Sequence, residues 1–282
     1  MKPFHIAPIF CCDDTELLDR FFKRYSITRN DEPLTVMKQC AKAFSGIPYE
    51  NLTKIIKSDR VLSANSALRF PAEVLADHLK WGTGGTCFSL TAALIAVFNA
   101  LGFNAQPLLA DRRYGPDTHC GLAVMHGKQM LLIDPGYLLF IPTPMPSIAT
   151  SVMDLGHAAV ELRPLEGGAR IELTTIVRGN RKTRLTYKRS PVDAATFKRA
   201  WTDSFTWEMM TYPVLTRCIA GQHLYLRGAS ATIRTHEGTD RSELELSEQM
   251  AFITGNMGVA REVVLRAWGV MRHGATGTAF AG

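Results

Sequence analysis

The stretch His119-Cys120-Gly121-Leu122-Ala123-Val124-Met125-His126-Gly127-Lys128-Gln129-Met130-Leu131-Leu132-Ile133-Asp134 reads as a β-hairpin. Cys120 to Met125 and Lys128 to Ile133 are its strands, and His126-Gly127 joins them, with glycine supplying the positive φ of a tight turn. Met125 then pairs with Lys128, and the same count sets His119 opposite Asp134 on one face, with Cβ atoms about 5 Å apart. The other face carries Cys120, Leu122, Val124, Leu131 and Ile133, an apolar set suited to a core. A slip of one residue would turn every side chain over, so the apolar pattern supports this register.

Upstream, Gly82-Thr83-Gly84-Gly85-Thr86-Cys87-Phe88-Ser89-Leu90 runs into Ala92, Ala93, Leu94, Ile95, Val97 and Phe98. A glycine-rich turn thus delivers Cys87 to the first turn of a buried helix. The helix N-terminus carries about half a positive charge, which stabilises a thiolate, and paired glycines let the chain bend and leave room beside the sulfur. Taken alone, the segment also fits a cysteine buried as a small hydrophobe. Beside His119 and Asp134 it reads as a nucleophile, because a carboxylate fixes the imidazole tautomer and steadies the imidazolium formed when the thiol gives up its proton. A cross-strand ion pair is the plainer reading of His119 and Asp134. Cys120 points into the core and is set aside as a nucleophile.

Around these motifs, helix-spaced apolar positions fall within 13–45 (Leu17, Leu18, Phe21, Phe22, Tyr25) and 69–81 (Phe70, Val74, Leu75, Leu79), with Asp13 and Asp14 suited to capping the first helix. From about Asn104 to Tyr187 short β-type runs predict an antiparallel sheet or barrel, including Ile171 to Val177. Past Ser190-Pro191 come a helix with Phe197, Trp201 and Phe205, strands at 223–227 and 231–234, a last helix at 247–257, and a frayed tail from Gly274.

Composition sets limits. The chain has 282 residues, 46% hydrophobic and 21% charged, values of an ordinary globular protein and not of a disordered or membrane one. The start, broken by Pro3 and Pro8 and running into Asp13 and Asp14, does not fit a secretory leader. Residues 87–98 are apolar but too short to cross a bilayer. Six cysteines without regular spacing form no disulfide framework, so a cytoplasmic location is expected. Net charge is +6, and Arg178, Arg181, Lys182, Arg184, Lys188 and Arg189 cluster as on a solvent-facing strand edge; docking of phosphates or of an acidic carrier is the other use of such a patch. The pattern holds no CxxC or HExxH, so no metal is expected, and His5, His78, His126, His157, His223, His236 and His273 read as surface or satisfied residues. Gly82 to Gly85 lacks the features of a nucleotide loop, and no nucleic acid or membrane partner is expected.

Ile47-Pro48-Tyr49-Glu50-Asn51-Leu52, Gly84-Gly85-Thr86-Cys87-Phe88, the His119 strand and Leu132-Ile133-Asp134-Pro135-Gly136-Tyr137 resemble, in order and spacing, the motifs of the arylamine N-acetyltransferase family. Phe205-Thr206, Leu224-Tyr225-Leu226-Arg227-Gly228 and Ala231-Thr232-Ile233-Arg234-Thr235 resemble its C-terminal part. The resemblance implies an α+β fold of three parts: an N-terminal helical bundle (1–86), the catalytic helix start with a central antiparallel β-barrel (87–190), and a C-terminal α/β lid (191–282), around a core like that of cysteine proteases and transglutaminases. It implies a Cys87, His119, Asp134 triad that takes an acyl group from acetyl-CoA or another acyl thioester as co-substrate, with no tightly bound cofactor, and passes it to a small-molecule amine. The pantetheine would pass the loop from Tyr114 to His119, which makes Gly115 and Thr118 the expected cofactor-binding positions. The backbone N–H groups of Cys87 and Phe88 are the expected oxyanion donors.

Departures from the family pattern concentrate around the cysteine. Thr83 stands where the family has Arg, and Ser89 and Thr91 replace the usual acid and amide. That Arg ordinarily pairs with the acid at Glu50, so a buried Glu50 must find another donor or take up a proton. Two further readings share the triad: an amide synthase, like the macrolactam-forming relatives, fed by an acyl carrier protein, and a transglutaminase-like cysteine hydrolase. A protein that keeps the fold for binding or regulation without the activity is the non-enzymatic reading.

Overall fold

The structure is a computed structural model and describes residues 7–277. Its helices and strands are α1 (Thr15–Tyr25), α2 (Pro33–Ser45), β1 (Tyr49–Glu50), α3 (Leu52–Asp59), α4 (Ala64–Ala67), α5 (Pro71–Trp81) and α6 (Cys87–Ala100), then β2 (Ala105–Arg112), β3 (Gly115–His126), β4 (Gln129–Asp134), β5 (Leu139–Pro144), β6 (Ser151–Asp154), β7 (Ala159–Leu165), β8 (Arg170–Val177) and β9 (Asn180–Lys188). The chain closes with α7 (Ala194–Asp203), β10 (Val214–Ile219), β11 (Gln222–Arg227), β12 (Ser230–Arg234), β13 (Thr239–Glu243), α8 (Leu246–Ala251) and α9 (Arg261–Gly277).

The helical run expected over 13–45 divides in two. Asp14 caps α1 through Leu17 N at 2.9 Å, and Ser26 ends the helix in the left-handed conformation. Glu32 then caps α2, with Pro33 in its first turn, where a missing N–H costs nothing. At the other end, the expected helix at 247–257 is α8 followed by a π-helical turn over Phe252–Asn256, and α9 continues to Gly277 where a frayed tail was expected from Gly274. Residues 278–282 lie outside the described residues.

Eight strands form one antiparallel sheet in the order β5-β4-β3-β2-β9-β8-β7-β6, and five form a second in the order β1-β10-β11-β12-β13. The large sheet begins at β5 and ends at β6, without a backbone ladder joining those two among the described residues, so it is an open, curled sheet in place of the closed barrel expected. Strand β9 pairs with β2 only over Leu185 to Tyr187, so its first half, with Arg181, Lys182 and Arg184, pairs with β8 alone and keeps an open side, as the basic cluster leads one to expect. Arg181 pairs with Glu161, Lys188 bonds Asp117 at 2.5 Å, and Arg189 donates to the Pro146 carbonyl at 2.8 Å.

Three cores result. Helix α6 is buried at every position from Cys87 to Phe98, as a helix apolar on all sides must be. It packs with α1, α2 and the Cys120, Leu122, Val124, Leu131 and Ile133 face of the hairpin. The opposite face of the sheet carries Leu108, Ala110, Ala123, Leu132, Leu185 and Tyr187 inside its curl. In the third core Leu52 of α3 joins the five-stranded sheet and α9.

Candidate active site

The hairpin forms, with its turn one residue later than expected. Gly127 and Lys128 make the turn, Gly127 at φ +59, and Met125 pairs with Met130 instead of Lys128. The register therefore moves by two residues, which conserves both faces. Asp134 lies beside Gly121, where a Cβ would come within 3.2 Å of its own Cβ, and His119 reaches it diagonally. His119 Nε2 donates to Asp134 Oδ2 at 2.6 Å, with both residues buried.

Two more donors meet that carboxylate: the Tyr137 amide at 2.8 Å to Oδ1 and the Tyr187 hydroxyl at 2.5 Å to Oδ2. Ala110 of β2 pairs with His119 on one side and Tyr187 on the other, so the three share a row across adjacent strands. The small side chain of Ala110 lets Tyr187 reach over it. Nothing local in the sequence marks Tyr187 as a partner of the site, because Asp134 lies 53 residues away.

Since Asp134 holds Nε2, Nδ1 is the nitrogen left for the thiol, and Cys87 and His119 stand within hydrogen-bond reach. Gly136 lies against both: a Cβ there would sit 2.5 Å from Cys87 Cβ and 3.2 Å from His119 Cε1. A hydrogen bond from the Cys120 thiol, followed by the hydrogen bond and charge of His119, brings the Cys87 thiol well below its ordinary range against the opposing effect of burial. Burial works against a charged His119, but the Asp134 carboxylate and the Cys87 sulfur outweigh it and raise the ring to about 9. The pair is thus disposed to exist as thiolate and imidazolium. Cys120 points into the core as expected, with its sulfur 3.5 Å from Thr91 Oγ1.

Thr86 is the N-cap of α6 and makes no side-chain cap, and the first backbone bond of this helix is Leu90 N to Thr86 O at 3.0 Å. The N–H groups of Cys87 and Phe88 precede it and point outward from the helix end, as donors to an oxyanion must. Gly115 is at φ +149 and its carbonyl accepts from Thr118 Oγ1 at 2.8 Å, so these two expected cofactor-binding positions stabilise their own loop.

The glycine turn is held by residues distant in sequence. A Cβ on Gly84 would stand 1.8 Å from the Pro48 carbonyl oxygen, so only glycine fits under the Pro48-Tyr49-Glu50 segment. Glu50, fully buried, accepts from Thr53 N at 2.9 Å, Thr53 Oγ1 at 2.5 Å and Gly84 N at 3.2 Å. Arg69, also buried, donates from Nη1 to Thr53 Oγ1 at 2.6 Å and to the Gly84 carbonyl at 2.5 Å, stands 3.8 Å from Glu50, and binds Asp77 at 2.7 Å through Nη2. Glu50 therefore has other donors in place of the arginine the resemblance leads one to expect, and the cation comes from the segment before α5. Thr83 Oγ1, by contrast, is buried without a partner.

Known structures resemble this arrangement over nearly the whole chain. The arylamine N-acetyltransferase of Mycobacterium abscessus superposes with a TM-score of 0.75 at 18% identity, covering 90% of this chain and 94% of that one. The fold is that of the arylamine N-acetyltransferases. The Salmonella typhimurium enzyme matches with a TM-score of 0.73 at 16% identity, covering 91% of this chain and 98% of that one. The Mycobacterium marinum arylamine N-acetyltransferase in complex with CoA matches with a TM-score of 0.72 at 19% identity, covering 90% and 98%. No family model matches the sequence, and no curated protein does.

Other sequence readings are more modest. His78 is satisfied by Tyr25 and, at 2.9 Å, by the Thr83 carbonyl, and His223 by Thr216 at 2.8 Å. His5 lies outside the described residues, as does the side chain of His273. Among the described residues no group of three or more His, Cys, Asp or Glu gathers as metal ligands do, and no helix is long and apolar enough to cross a membrane.

Proposed function

We propose that the protein is an N-acyltransferase of the arylamine N-acetyltransferase type, with Cys87, His119 and Asp134 as its catalytic triad. The observation that carries this reading is a buried imidazole bonded to a carboxylate, packed with a cysteine at a helix start around Gly136, within a fold shared with arylamine N-acetyltransferases. The Cys87 thiolate attacks the thioester carbonyl, the N–H groups of Cys87 and Phe88 bind the oxyanion, and CoA leaves as a thiolate that takes the His119 proton. An amine then attacks the Cys87 thioester, His119 Nδ1 receives its proton, and the Cys87 thiolate departs as the amide forms. Asp134, fixed by Tyr187 and the Tyr137 amide, keeps the ring oriented through both halves.

A CoA thioester suits the charge of the cleft. Arg112 lies over the Tyr114 ring at 4.9 Å, Arg184 is the unpaired residue of a bulge in the adjacent strand and donates to Thr175 Oγ1 at 2.6 Å, and neither forms an ion pair with a carboxylate among the described residues. An acyl carrier protein is the alternative donor, in the manner of an amide synthase. The test is initial-rate kinetics with acetyl-CoA and an arylamine such as 4-methylaniline. Parallel double-reciprocal lines and amide formation are expected. Thioester or peptide hydrolysis at a rate indifferent to amine would replace this reading with the transglutaminase-like hydrolase.

A further inference from the structure

Lys54 enters the protein from the first turns of α3, and only 4% of its surface is exposed. Its Nζ donates to the Ser204 carbonyl and to Ser204 Oγ, both at 2.7 Å, and stands 4.2 Å from the ring centroid of Phe205 and 5.6 Å from that of Trp207. Among the described residues no carboxylate forms an ion pair with it, and none acts on its titration. Burying an unpaired ammonium costs stability, and apolar replacements for buried charges are often neutral or stabilising. Ser204, Phe205 and Trp207 tether the ammonium but supply no counter-charge.

Lys54, Arg69, Thr86 and Ser89 line one interior cavity of about 10 Å³ for the centre of a water-sized sphere, room for about one water. Thr86 and Ser89 stand on either side of Cys87 in the sequence at the start of α6, so Lys54 shares a cavity with the helix turn that carries the nucleophile. Ser89 itself stands where the family resemblance places an acid, so no carboxylate offsets the ammonium there. Facing groups are few: Arg69 is the other cation in the cavity, turned toward Glu50 and Asp77, the Cys87 sulfur is the anion at the head of α6, and Ser204, Phe205 and Trp207 carry no charge. Burial lowers Lys54 to about 7, and the Cys87 thiolate acts in the opposite direction. Among the groups that act most strongly on Cys87 are Cys120, His119 and Asp134, so the return effect of Lys54 on the thiol is the smaller one.

We propose that Lys54 is a positioning residue for the nucleophile, its ammonium in the cavity at the start of α6 adding to the stabilisation that His119 gives the Cys87 thiolate. The proposal rests on the reading of Cys87 as the nucleophile. It explains why a charge that weakens the fold is kept beside the start of α6.

The experiment compares wild type, Lys54→Met and Lys54→Arg by the pH dependence of Cys87 alkylation with iodoacetamide, read by mass, and by thermal unfolding. None of these requires acyl transfer. For Lys54→Met the alkylation midpoint is expected to rise by about one pH unit, slowing the reaction about tenfold at pH values below the wild-type midpoint. Lys54→Arg, which retains the charge, stays near wild type. Folded-state lowering of a base penalises the fold fully below about pH 7 and is relieved as pH rises toward the ordinary lysine value of 10.5. Lys54→Met is thus expected to melt at or above the wild-type temperature at pH 7, with the difference closing by about pH 10. An unchanged alkylation profile in Lys54→Met, whatever its melting temperature, overturns the proposal. A wild-type Cys87 that alkylates no faster than an unactivated thiol overturns the nucleophile reading instead, so the two failures are distinct.

Discussion

At Asp134 three donors converge on one buried carboxylate, and they do unequal things. His119 is the group to be oriented, the Tyr137 amide comes with the local turn, and Tyr187 is brought by a strand far along the chain. A hydrogen bond to a charged acceptor contributes about 1.5–3 kcal/mol, so Tyr187→Phe leaves Asp134 under-satisfied and the imidazole less firmly held. The expected result is a loss of about tenfold in kcat with KM for the thioester little changed, measured by steady-state kinetics. The grouping of Cys87, His119 and Asp134 was legible in the sequence because strand alternation puts His119 and Asp134 on one face and a glycine turn before an apolar run sets Cys87 at a helix start. The two-residue error in register did no harm, since a sheet face repeats every second residue. Tyr187 and Lys54 were not legible as partners of the site, because their contacts are set by sheet order and by the turn at Ser204, not by local pattern.

Among the elements, the turn before α6 depends on a scaffold that no short-range signal reveals. The Pro48 to Leu52 segment lies across Gly84 and Gly85, accepts and donates there, and continues into α3. Arg69 fastens this crossing by bonding Thr53 and the Gly84 carbonyl at once. The sequence showed that Thr83 removes an arginine and that a buried Glu50 then needs a donor. It could not show that the donor set would be Thr53, the Gly84 amide and a cation fifteen residues upstream of that turn. Removing one partner from a buried charged network costs about 3–5 kcal/mol. Arg69→Met is accordingly expected to lower stability by about 3 kcal/mol in denaturant unfolding, and Glu50→Gln in the same chain to recover part of that loss. Additive losses from the two substitutions would show that they do not act as one unit.

Over the whole molecule, the N-terminal motif and the C-terminal sheet are tied together. Strand β1 pairs with β10, and Asn51 accepts from Val214 N at 2.8 Å and donates to the Met209 and Tyr212 carbonyls. Helical periodicity and β-alternation gave the α+β class and the order of its parts. They could not place two residues of the first third in a sheet with strands more than 160 residues away, nor say that the large sheet stays open. The site also sets the pH response of the fold. His119 rises from 6.5 to about 9 on folding, so the stability it contributes is fully present below about pH 6.5 and is lost as pH rises through about 9. Cys87, lowered on folding, contributes above its ordinary value of 9.0 and loses that contribution as pH falls through its folded value. The stability difference between wild type and His119→Asn is therefore expected to be larger at pH 6 than at pH 10, by chemical denaturation at each pH.

The most direct measurement is the intact mass of the protein after brief exposure to acetyl-CoA without an acceptor, followed by an arylamine. The predicted result is the addition of one acetyl group, mapped to Cys87, absent in Cys87→Ser, and removed on adding the amine as the acetylated amide appears. A chain that takes no acetyl group, or carries it on another residue that the amine does not discharge, would contradict the account.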